Sequence, residues 1–552
     1  MKRLLFALLV TLVAVPCVAQ DWPAYGHDAG HSSKQPLTGT NITPAGVATL
    51  HKNWDFFIPA ASFRASPSLY HEVVFIGSTH GFFYAIYASG PDQGQQKWRY
   101  PPSILPGPIV DACGIIQQPL KLPANQSNTS SGPGIASSAA VVLNQIPGHD
   151  QAVIFGAPDP TSNNGDGRLW ALDAITGQCI WKSPVIAPAA GNSKIGYSSP
   201  AVSNGRAFIG VSARIPDATL AVGKLFAINL ADGSLDPNFS FNAANPPSGG
   251  GMWGSPAIAP NGNLVVVTGN SCHHFVPPPV ACPNAPLVPD YTNSLLELDA
   301  TSGNVLWQIQ PVHIDWDNDP DWAVPPIVSN VSCGQLAMTV QKDGYLHAAD
   351  IKGAVSSNPA CSYVNHNLEC PKWSFPNAAS LPFMEDGHGD TPFIKPGALD
   401  GDWLYITSGG YNLTEMPPAN NIGNLPAGRI HFDRLYSFDV CAQSGDRIRW
   451  IFESPSGDLG GVSTTNGVLF VGSTTGHVYA IGDPAVAPSN AQVCSYPNLP
   501  LAMCAAANFK AVTKPVLLKD IQLQGSIRNT MAIGRGQLYV GTTSGHVYGL
   551  VP

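Results

Sequence analysis

A pattern of short apolar strands and polar turns repeats along the chain. Each copy has an apolar strand, a turn that contains Gly, a second strand that ends in a small residue and Asp, and then a Thr-Gly type of turn followed by Trp. The clearest copies are GRLWALDAITGQCIW (167–181) and NSLLELDATSGNVLW (293–307). A strand pair such as SPAIAPNGNLVVVTG (255–269) precedes each copy. Each repeat therefore predicts about four short strands, which is typical of one blade of a β-propeller.

The repeats predict an all-β fold with eight blades, and seven blades is the alternative count. The last copy ends after its third strand, and we expect residues 50–58, with Trp54, to supply the fourth strand. This arrangement would join the two ends of the chain and leave no exposed sheet edge. The Trp of each repeat is interpreted as a packing residue between blades. The predicted blades span residues 64–100, 134–185, 197–241, 251–310, 322–376, 387–454, 457–523 and 525–552.

Composition agrees with this interpretation and excludes one class of function. Only 11% of the 552 residues are charged, whereas the chain contains 55 Gly and 52 Pro, which favours strands and turns over helices. The net charge is −9 and the chain has no basic run. A nucleic-acid partner is not expected, because phosphate binding requires clustered Lys and Arg.

The N-terminus predicts export. Lys2 and Arg3 precede an apolar run that is too short for a comfortable membrane span, and Ala19 fits a cleavage point. We expect residues 1–19 to be a signal peptide and residues 20–552 to be a single propeller domain in the periplasm or outside the cell. Removal of Cys17 leaves ten cysteines, an even number that suits an oxidising compartment. Three pairs lie close enough in sequence to crosslink loops, namely Cys272/Cys282, Cys361/Cys370 and Cys494/Cys504. The pairing of the other four cysteines stays open: Cys113, Cys179, Cys333 and Cys441.

The eight Trp-bearing repeats after a signal peptide, together with the opening DWPAYGHDAGHSS (21–33), resemble the quinoprotein alcohol dehydrogenases that use pyrroloquinoline quinone (PQQ). The resemblance covers essentially the whole mature chain. The long segment 271–292 and the absence of an adjacent-cysteine pair are closer to the polyvinyl-alcohol dehydrogenase branch of that family. Non-enzymatic propellers share the repeat, so the site residues must decide the function.

The motif GGGMWG (249–254) and the following VTGN (267–270) carry the cofactor part of the resemblance. Glycines before Trp253 allow backbone to approach a flat ligand, and an indole is a suitable surface for a planar quinone. The resemblance implies that Trp253 forms the floor under the cofactor and that Asn270 is a metal ligand. Ser212 is a candidate contact to a cofactor carboxylate. The alternative interpretation is structural, with Trp253 as a packing residue between blades and Asn270 as a turn residue.

The segment DWDNDPDW (315–322) is the candidate catalytic stretch. Its alternating aspartates would point the same way if the segment were extended, and such close carboxylates need a metal, shared protons or water between them. The resemblance implies a catalytic base just before the first strand of this blade, and Asp319 matches that position. Asp321 then falls on a further metal-binding position. A register shift of two would instead make Asp317 the base.

Two further positions bear on the site. Lys342 in QKDG (341–344) matches a cation that reaches the quinone carbonyls in the family, where it would stabilise negative charge on the reduced oxygen. The family's metal-binding Glu, expected shortly after AFIGVSA (207–213), is absent, because the chain continues as RIPDATL.

The resemblance implies a PQQ-dependent dehydrogenase that uses Ca²⁺ or a lanthanide to oxidise a small-molecule or polymeric alcohol. The chain has no CxxCH motif for covalent haem, so electrons would pass to a separate carrier such as cytochrome c. The alternative hypothesis is a non-catalytic propeller that binds protein or carbohydrate. Convergence of the site residues on one region favours the enzyme, and their separation would favour the scaffold.

Overall fold

The computed structural model describes most of the mature chain. The described residues are 20–36, 40–102, 109–116, 118–122, 132–162, 165–191, 193–213, 223–244, 249–270, 291–310, 322, 324–341, 346–351, 372–375, 395–407, 434–443, 447–495, 500–506 and 509–552. Within this part of the chain, no helix has the length and apolar character needed to cross a membrane.

Eight antiparallel sheets form the blades of a propeller, which confirms the predicted fold and blade count. Each sheet contains four strands that follow one another in space as in sequence, to which the sheet of blade 3 adds one strand and that of blade 6 adds two, and the last sheet draws one of its four strands from the N-terminal part of the chain. Blades 1 to 4 consist of the strands Ser68–Tyr70, Val73–Gly77, Phe83–Tyr87, Gln96–Tyr100; Ala140–Ile146, His149–Pro158, Gly167–Asp173, Cys179–Lys182; Ala201–Ser203, Arg206–Ala213, Lys224–Asn229, Phe241–Asn242; and Ala257–Ile258, Leu264–Val267, Leu295–Leu298, Val305–Ile309.

Blades 5 to 8 repeat the plan, and the first strand of each blade is the innermost one. They consist of Ile327–Val331, Gly334–Val340, Leu346–Asp350, Trp373–Phe375; Ala398–Asp400, Trp403–Thr407, Arg434–Asp439, Ile448–Glu453; Leu459–Thr465, Val468–Ser473, His477–Gly482, Val516–Gln522; and Ala532–Gly534, Gln537–Gly541, His546–Val551, His51–Phe57. Smaller elements decorate them, namely strands Ile109–Asp111, Gly114–Ile116, Ser193–Lys194, Gln492–Cys494 and Ala511–Thr513, the helix Leu501–Cys504, and 3₁₀ turns at Gly46–Thr49 and Ala189–Gly191.

The ring closes as the sequence predicted. Strand His51–Phe57 pairs antiparallel with His546–Val551, so the chain's N-terminal part completes the blade that its C-terminus begins. Trp54 and Phe56 alternate with exposed neighbours and point into the core shared by blades 7, 8 and 1. Closure removes the two sheet edges that an open arc of blades would expose.

The repeated tryptophans dock on the turns of neighbouring blades, which confirms their structural role. The indole N–H of Trp98 donates to the carbonyl of Ala174 in the next blade at 3.1 Å. This contact explains why the turn of the repeat contains Gly, because Gly177 has φ +74° and a Cβ there would lie 2.5 Å from the Trp98 ring. Trp181 repeats the arrangement with Leu230, at 3.0 Å, and with Gly233.

Residues 20–36 run along the inner strands at one end of the ring, and we call this segment the plug. Its backbone bonds to successive blades in chain order. Trp22 exchanges two hydrogen bonds of 2.8 Å with Leu69 in blade 1, and Ser33 accepts one of 2.9 Å from Thr464 in blade 7. Between them, Pro23, Ala29, Gly30 and Ser32 accept from Val141, Ile258, Val328 and Leu399 of blades 2, 4, 5 and 6. The Gln35 amide reaches Ile533 of blade 8 at 2.7 Å.

Three disulfides lie among the described residues. Cys494–Cys504 is one of the predicted loop staples, and the four cysteines of open pairing form Cys113–Cys179 and Cys333–Cys441. Cys333–Cys441 joins blades 5 and 6, and Cys113–Cys179 joins the hairpin after blade 1 to blade 2. Long-range crosslinks of this kind restrict the unfolded chain. Cys272, Cys282, Cys361 and Cys370 lie outside the described residues.

Candidate functional site

Trp253 lies at the end of the ring opposite the plug, where the inner strands begin; we call this the site end. Its indole is only 6% exposed and packs in one cluster with Ala136 of blade 2 and Tyr197 of blade 3. The three residues occupy equivalent positions, each two residues before a serine that precedes an inner strand. The propeller therefore brings them together by its rotational repeat.

The glycines before Trp253 fix the backbone at this point. Gly249 and Gly250 have φ of +87° and +71°, which L side chains rarely adopt. Gly250 donates to the carbonyl of Asn270 at 2.7 Å, and Gly269 donates to Gly251 at 2.8 Å. The two motifs that the sequence analysis singled out are thus hydrogen-bonded to each other. The structure brings Trp253 and Asn270 to one corner of blade 4.

Ser212 adjoins the same indole from blade 3. A Cβ on Gly196 would lie 3.2 Å from the Trp253 ring and 3.4 Å from Ser212 Oγ, and one on Gly251 would lie 3.3 Å from Ser212 Cβ. Ser212 is fully buried, and its hydroxyl has no hydrogen-bond partner within the part of the chain that the structure describes. A buried hydroxyl without a partner carries a desolvation cost, so a ligand that bonded to it would remove that cost.

Lys194 is a site residue that the sequence analysis missed. It pairs in register with Ser212, and its ammonium lies 4.4 Å from the centroid of the Trp253 ring. Its side chain is buried, with 3% of the residue exposed. A desolvated cation over an indole contributes about 2 kcal/mol. The only sequence signal was the position of this lysine three residues before Tyr197, in a segment without a recognisable motif.

Two carboxamides flank the turn on the metal side of the predicted site. Asn270 is 3% exposed and directly follows Gly269. Asn293, which the sequence analysis also missed, is fully buried at φ +47° and donates its backbone N–H to Gly269 at 2.8 Å. Neither polar atom of the Asn293 carboxamide has a hydrogen-bond partner in the described structure. Carboxamide oxygens are ligands that calcium accepts.

The remaining predicted site residues, Asp319, Asp321 and Lys342, lie outside the described residues, as does the alternative base Asp317. Their described neighbours are buried. Trp322 directly follows Asp321, and its indole N–H donates to the Asn293 carbonyl at 2.9 Å. Gln341 directly precedes Lys342 and is 1% exposed. The roles of these three residues stay predictions.

An arginine lies beside the phenol of Tyr197, which is 7% exposed. Arg64 Nη1 lies 3.5 Å from the Tyr197 hydroxyl. Burial raises the pKa of Tyr197, and the positive charges of Arg64 and Arg528 oppose that rise. The phenol is therefore protonated at neutral pH and can donate a hydrogen bond.

His347 in blade 5 packs against Trp322, with ring centroids 5.1 Å apart. Burial lowers its pKa to about 3, so the imidazole is neutral at physiological pH. This histidine contributes no charge to the corner formed by blades 4 and 5.

A separate surface cavity of about 840 Å³ lies between blades 1 and 2 and is lined by Arg99, Tyr100 and Asp111, among others. Asp111, Cys113 and Cys179 have ligand atoms close enough to hold a metal, but the two cysteines form a disulfide and so have no thiolate to offer. Trp253 remains the better candidate centre.

Comparison with solved structures shows the fold of the chain. No protein-family model and no curated protein matches the chain. Among solved structures, a quinohemoprotein alcohol dehydrogenase from Comamonas testosteroni matches 98% of this chain and 81% of its own, with a TM-score of 0.63 and 18% identity. The chain has the fold of that enzyme. BamB from Moraxella catarrhalis matches 91% of this chain and 98% of its own, with a TM-score of 0.46 and 10% identity.

The residues around Trp253 fit the chemistry of PQQ, a planar quinone with three carboxylates. The indole offers a flat surface, and Lys194 places a buried positive charge over it. The Ser212 hydroxyl lacks a partner among the described residues. Since the ammonium covers the ring, a planar ligand on that face of Trp253 requires the Lys194 side chain to move aside.

Proposed function

We propose that the chain is an exported PQQ-dependent dehydrogenase that oxidises an alcohol, with a secondary or polymeric alcohol as the expected substrate, and passes electrons to a separate carrier such as cytochrome c. The observation that carries the proposal is the buried indole of Trp253, held by positive-φ glycines and covered by the Lys194 ammonium. The likeness in fold to a quinohemoprotein alcohol dehydrogenase agrees with it.

PQQ, when bound, would supply a quinone that accepts the hydride from the carbinol carbon. Trp253 would hold its plane, and Ser212 and Lys194 would bind its polar edge. Asp319 would take the hydroxyl proton of the alcohol, which leaves a carbonyl product, and Asp317 is the alternative base. Lys342 would stabilise negative charge on the cofactor's oxygen.

Asn270, Asp319 and Asp321 would hold the Ca²⁺ ion, and a lanthanide would suit the same oxygen donors. The buried carboxamide of Asn293 adds a neutral oxygen donor beside Asn270. It does not replace the charge of the missing Glu. We therefore expect affinity for the ion to depend on the two aspartates.

Export to the periplasm or the medium is part of the proposal. The disulfides Cys113–Cys179, Cys333–Cys441 and Cys494–Cys504 suit an oxidising compartment, and residues 1–19 have the composition of a signal peptide.

The first test is to titrate the purified protein with PQQ in the presence of Ca²⁺ or La³⁺, and to follow both the absorbance of bound quinone and dye reduction by a panel of alcohols. We expect a bound-quinone band and alcohol-dependent dye reduction. Absence of the band with both ions would show that the chain is not a PQQ enzyme and would favour a binding scaffold.

The catalytic base is tested with a matched pair of variants. We expect Asp319→Asn to lower kcat by a factor of about 10² to 10⁴ while PQQ binding is retained, and Asp317→Asn to leave kcat nearly unchanged. The reverse result would establish the alternative register, and full activity in both variants would contradict both assignments.

A further inference from the structure

Arg64 and Arg528 occupy equivalent positions in neighbouring blades at the site end. Arg64 lies two residues before Ser66, which precedes the inner strand of blade 1, and Arg528 lies two residues before Thr530 in blade 8. The hydroxyls of Ser66 and Thr530 are hydrogen-bonded at 2.7 Å. This bond fixes the two blade entrances side by side, and with them the points from which the two arginines project.

Both guanidinium groups act on the same phenol. Arg64 Nη1 lies 3.5 Å from the hydroxyl of Tyr197, which belongs to blade 3. The residue at the equivalent position of the intervening blade 2 is Ala136, whose small side chain leaves room for Arg64 to extend across it. Arg528 interacts electrostatically with the same hydroxyl. Arginines at the adjoining entrances of blades 8 and 1 thus both contribute positive charge near one phenol of blade 3.

No carboxylate among the described residues neutralises the positive charge of Arg528. Among the described residues, the Arg528 guanidinium makes one hydrogen bond, from Nε to Ser526 Oγ at 3.3 Å, and no ion pair. Two like charges held near a buried phenol repel each other, and this arrangement is stabilised when an anion lies between them. The Lys194 ammonium adds a third positive charge over Trp253, which packs in one cluster with Tyr197.

We propose that Arg64, Arg528 and the Tyr197 hydroxyl form a subsite for a carboxylate group of the molecule bound at the site end. Guanidinium groups bind carboxylates through paired N–H donors, and the protonated phenol supplies a further donor. The carboxylate is presented either by the quinone cofactor or by an acidic alcohol as substrate. The subsite goes beyond the proposed dehydrogenase function, because its geometry requires only an anionic ligand.

The test uses Arg528→Gln and Arg64→Gln, with Arg528→Lys to retain the charge. Arg99→Gln is the matched control, because Arg99 is an arginine on the outermost strand of blade 1, where it stacks on Phe82. Thermal unfolding and circular dichroism establish that each variant is folded. The probes are PQQ and citrate, each titrated calorimetrically into the protein, and the readout is the dissociation constant.

We expect Arg528→Gln to weaken binding of citrate or PQQ about tenfold or more, Arg528→Lys to recover part of the loss, and Arg99→Gln to bind as the wild type does. Equal binding of both probes by wild type and Arg528→Gln would overturn the subsite. Wild-type protein that binds citrate but not PQQ would overturn the quinone function and leave the subsite standing.

The source of the carboxylate follows from the kinetics of the loaded enzyme with lactate and its neutral analogue propane-1,2-diol. An increase in KM for lactate alone in Arg528→Gln, with PQQ affinity unchanged, identifies an acidic substrate. Weaker PQQ binding with an unchanged ratio of the two KM values identifies the cofactor. Both results support the subsite, and equal changes in Arg99→Gln would contradict it.

Discussion

The two ends of the propeller ring are built from the same inner strands but differ in how their polar groups are satisfied. At the plug end, backbone groups of the inner strands in seven blades bond to residues 22–35. At the site end, the equivalent positions carry different side chains, including Arg64, Ala136, Tyr197 and Trp253. Arg64 and Leu69, which belong to the two ends of blade 1, are only about 16 Å apart along an extended strand.

Within the site end, the blades share one set of positions and differ at another. A belt of hydroxyls maintains it at the entrances of the blades: the N–H groups of Ser66, Ser138 and Ser199 donate to the hydroxyls of Ser138, Ser199 and Ser255 at 2.8 to 2.9 Å. Two residues before each serine, the side chains diverge and polar atoms such as Ser212 Oγ lack described partners. Buried polar groups without a described partner also occur in the plug, at Trp22 Nε1, the Tyr25 hydroxyl and Ser33 Oγ, so the position of Ser212 beside Trp253 is what indicates ligand binding at the site end.

The largest effect on stability is expected from Trp22→Ala at the plug end. Trp22 is fully buried and lies in the core shared by blades 7, 8 and 1. Its truncation leaves a cavity, so we expect unfolding free energy to fall by about 3–5 kcal/mol. Denaturant unfolding measures it. Trp253→Phe is the comparison at the site end, and it should keep most of the stability but lose affinity for PQQ.

The second prediction concerns pH and the plug residue His31. Burial lowers the pKa of His31 to about 4, against weaker opposing effects of the Pro326 carbonyl, which is 3.0 Å from Nδ1, and of Asp28. The unfolded imidazole takes up a proton below about pH 6.5, and the folded one does not until about pH 4. The contribution of the neutral His31 to the free energy of unfolding is therefore fully present above pH 6.5 and is lost as the pH falls towards 4.

The loss should approach about 1.4 kcal/mol per pH unit, or about 3 kcal/mol by pH 4. Chemical denaturation at a series of pH values between 7 and 4 measures it. His31→Gln should flatten this profile, whereas His51→Gln, at an exposed strand position, should leave it unchanged. An equally steep profile in His31→Gln would show that another group is responsible.

The fold was predictable because its signals are local and repeated. The Trp docking, the closing strand around Trp54 and the pairing of GGGMWG with VTGN each follow from a short stretch of sequence. The plug was not predictable, because its contacts are backbone hydrogen bonds to strands hundreds of residues away, and no side-chain pattern records them. In the sequence, residues 21–33 are distinctive only as part of the resemblance to the quinoprotein alcohol dehydrogenases.

The candidate site was predictable in part for the same reason. Trp253, Asn270 and Ser212 lie together, as motifs on adjacent blades would place them. Lys194 and Asn293 were missed because nothing in their local sequence distinguishes them from turn residues. Arg528 was missed because ring closure brings blade 8 beside blade 1, and only the register of the repeat, read from one end of the chain to the other, would have paired it with Arg64.

A smaller effect is expected from Gly26→Ala in the plug. Gly26 has φ +63°, and a Cβ there would lie 2.8 Å from His31 Cα. Gly148 is the control, since its φ is +81° and its Cβ would meet nothing within 4 Å. The backbone strain is shared, at about 1 kcal/mol, so the difference between the two variants reports the contact with His31. We expect Gly26→Ala to cost about 1–2 kcal/mol more in denaturant unfolding. Equal costs would mean that the plug can shift to accept the methyl group.

The smallest effect comes from two buried serines of blade 3, which differ in whether their hydroxyls are used. Ser199 Oγ accepts the Ser138 N–H at 2.9 Å, so Ser199→Ala leaves a buried donor unsatisfied and should cost about 1–2 kcal/mol. Ser212 is equally buried, but its hydroxyl has no partner among the described residues. Ser212→Ala should therefore change the unfolding free energy by less than about 0.5 kcal/mol, or raise it slightly.

A second measurement on Ser199→Ala and Ser212→Ala, the affinity for PQQ, distinguishes a scaffold hydroxyl from a ligand-binding one. Ser199→Ala should bind PQQ as the wild type does once it is folded, whereas Ser212→Ala should bind it several-fold more weakly, because the hydroxyl that folding leaves unused is the one a ligand would engage. If Ser212→Ala instead destabilised the protein as much as Ser199→Ala and bound PQQ normally, its hydroxyl would belong to the scaffold. The site end would then offer no free hydroxyl to a ligand at Ser212, and the divergence of its side chains from the repeat would not mark a binding site.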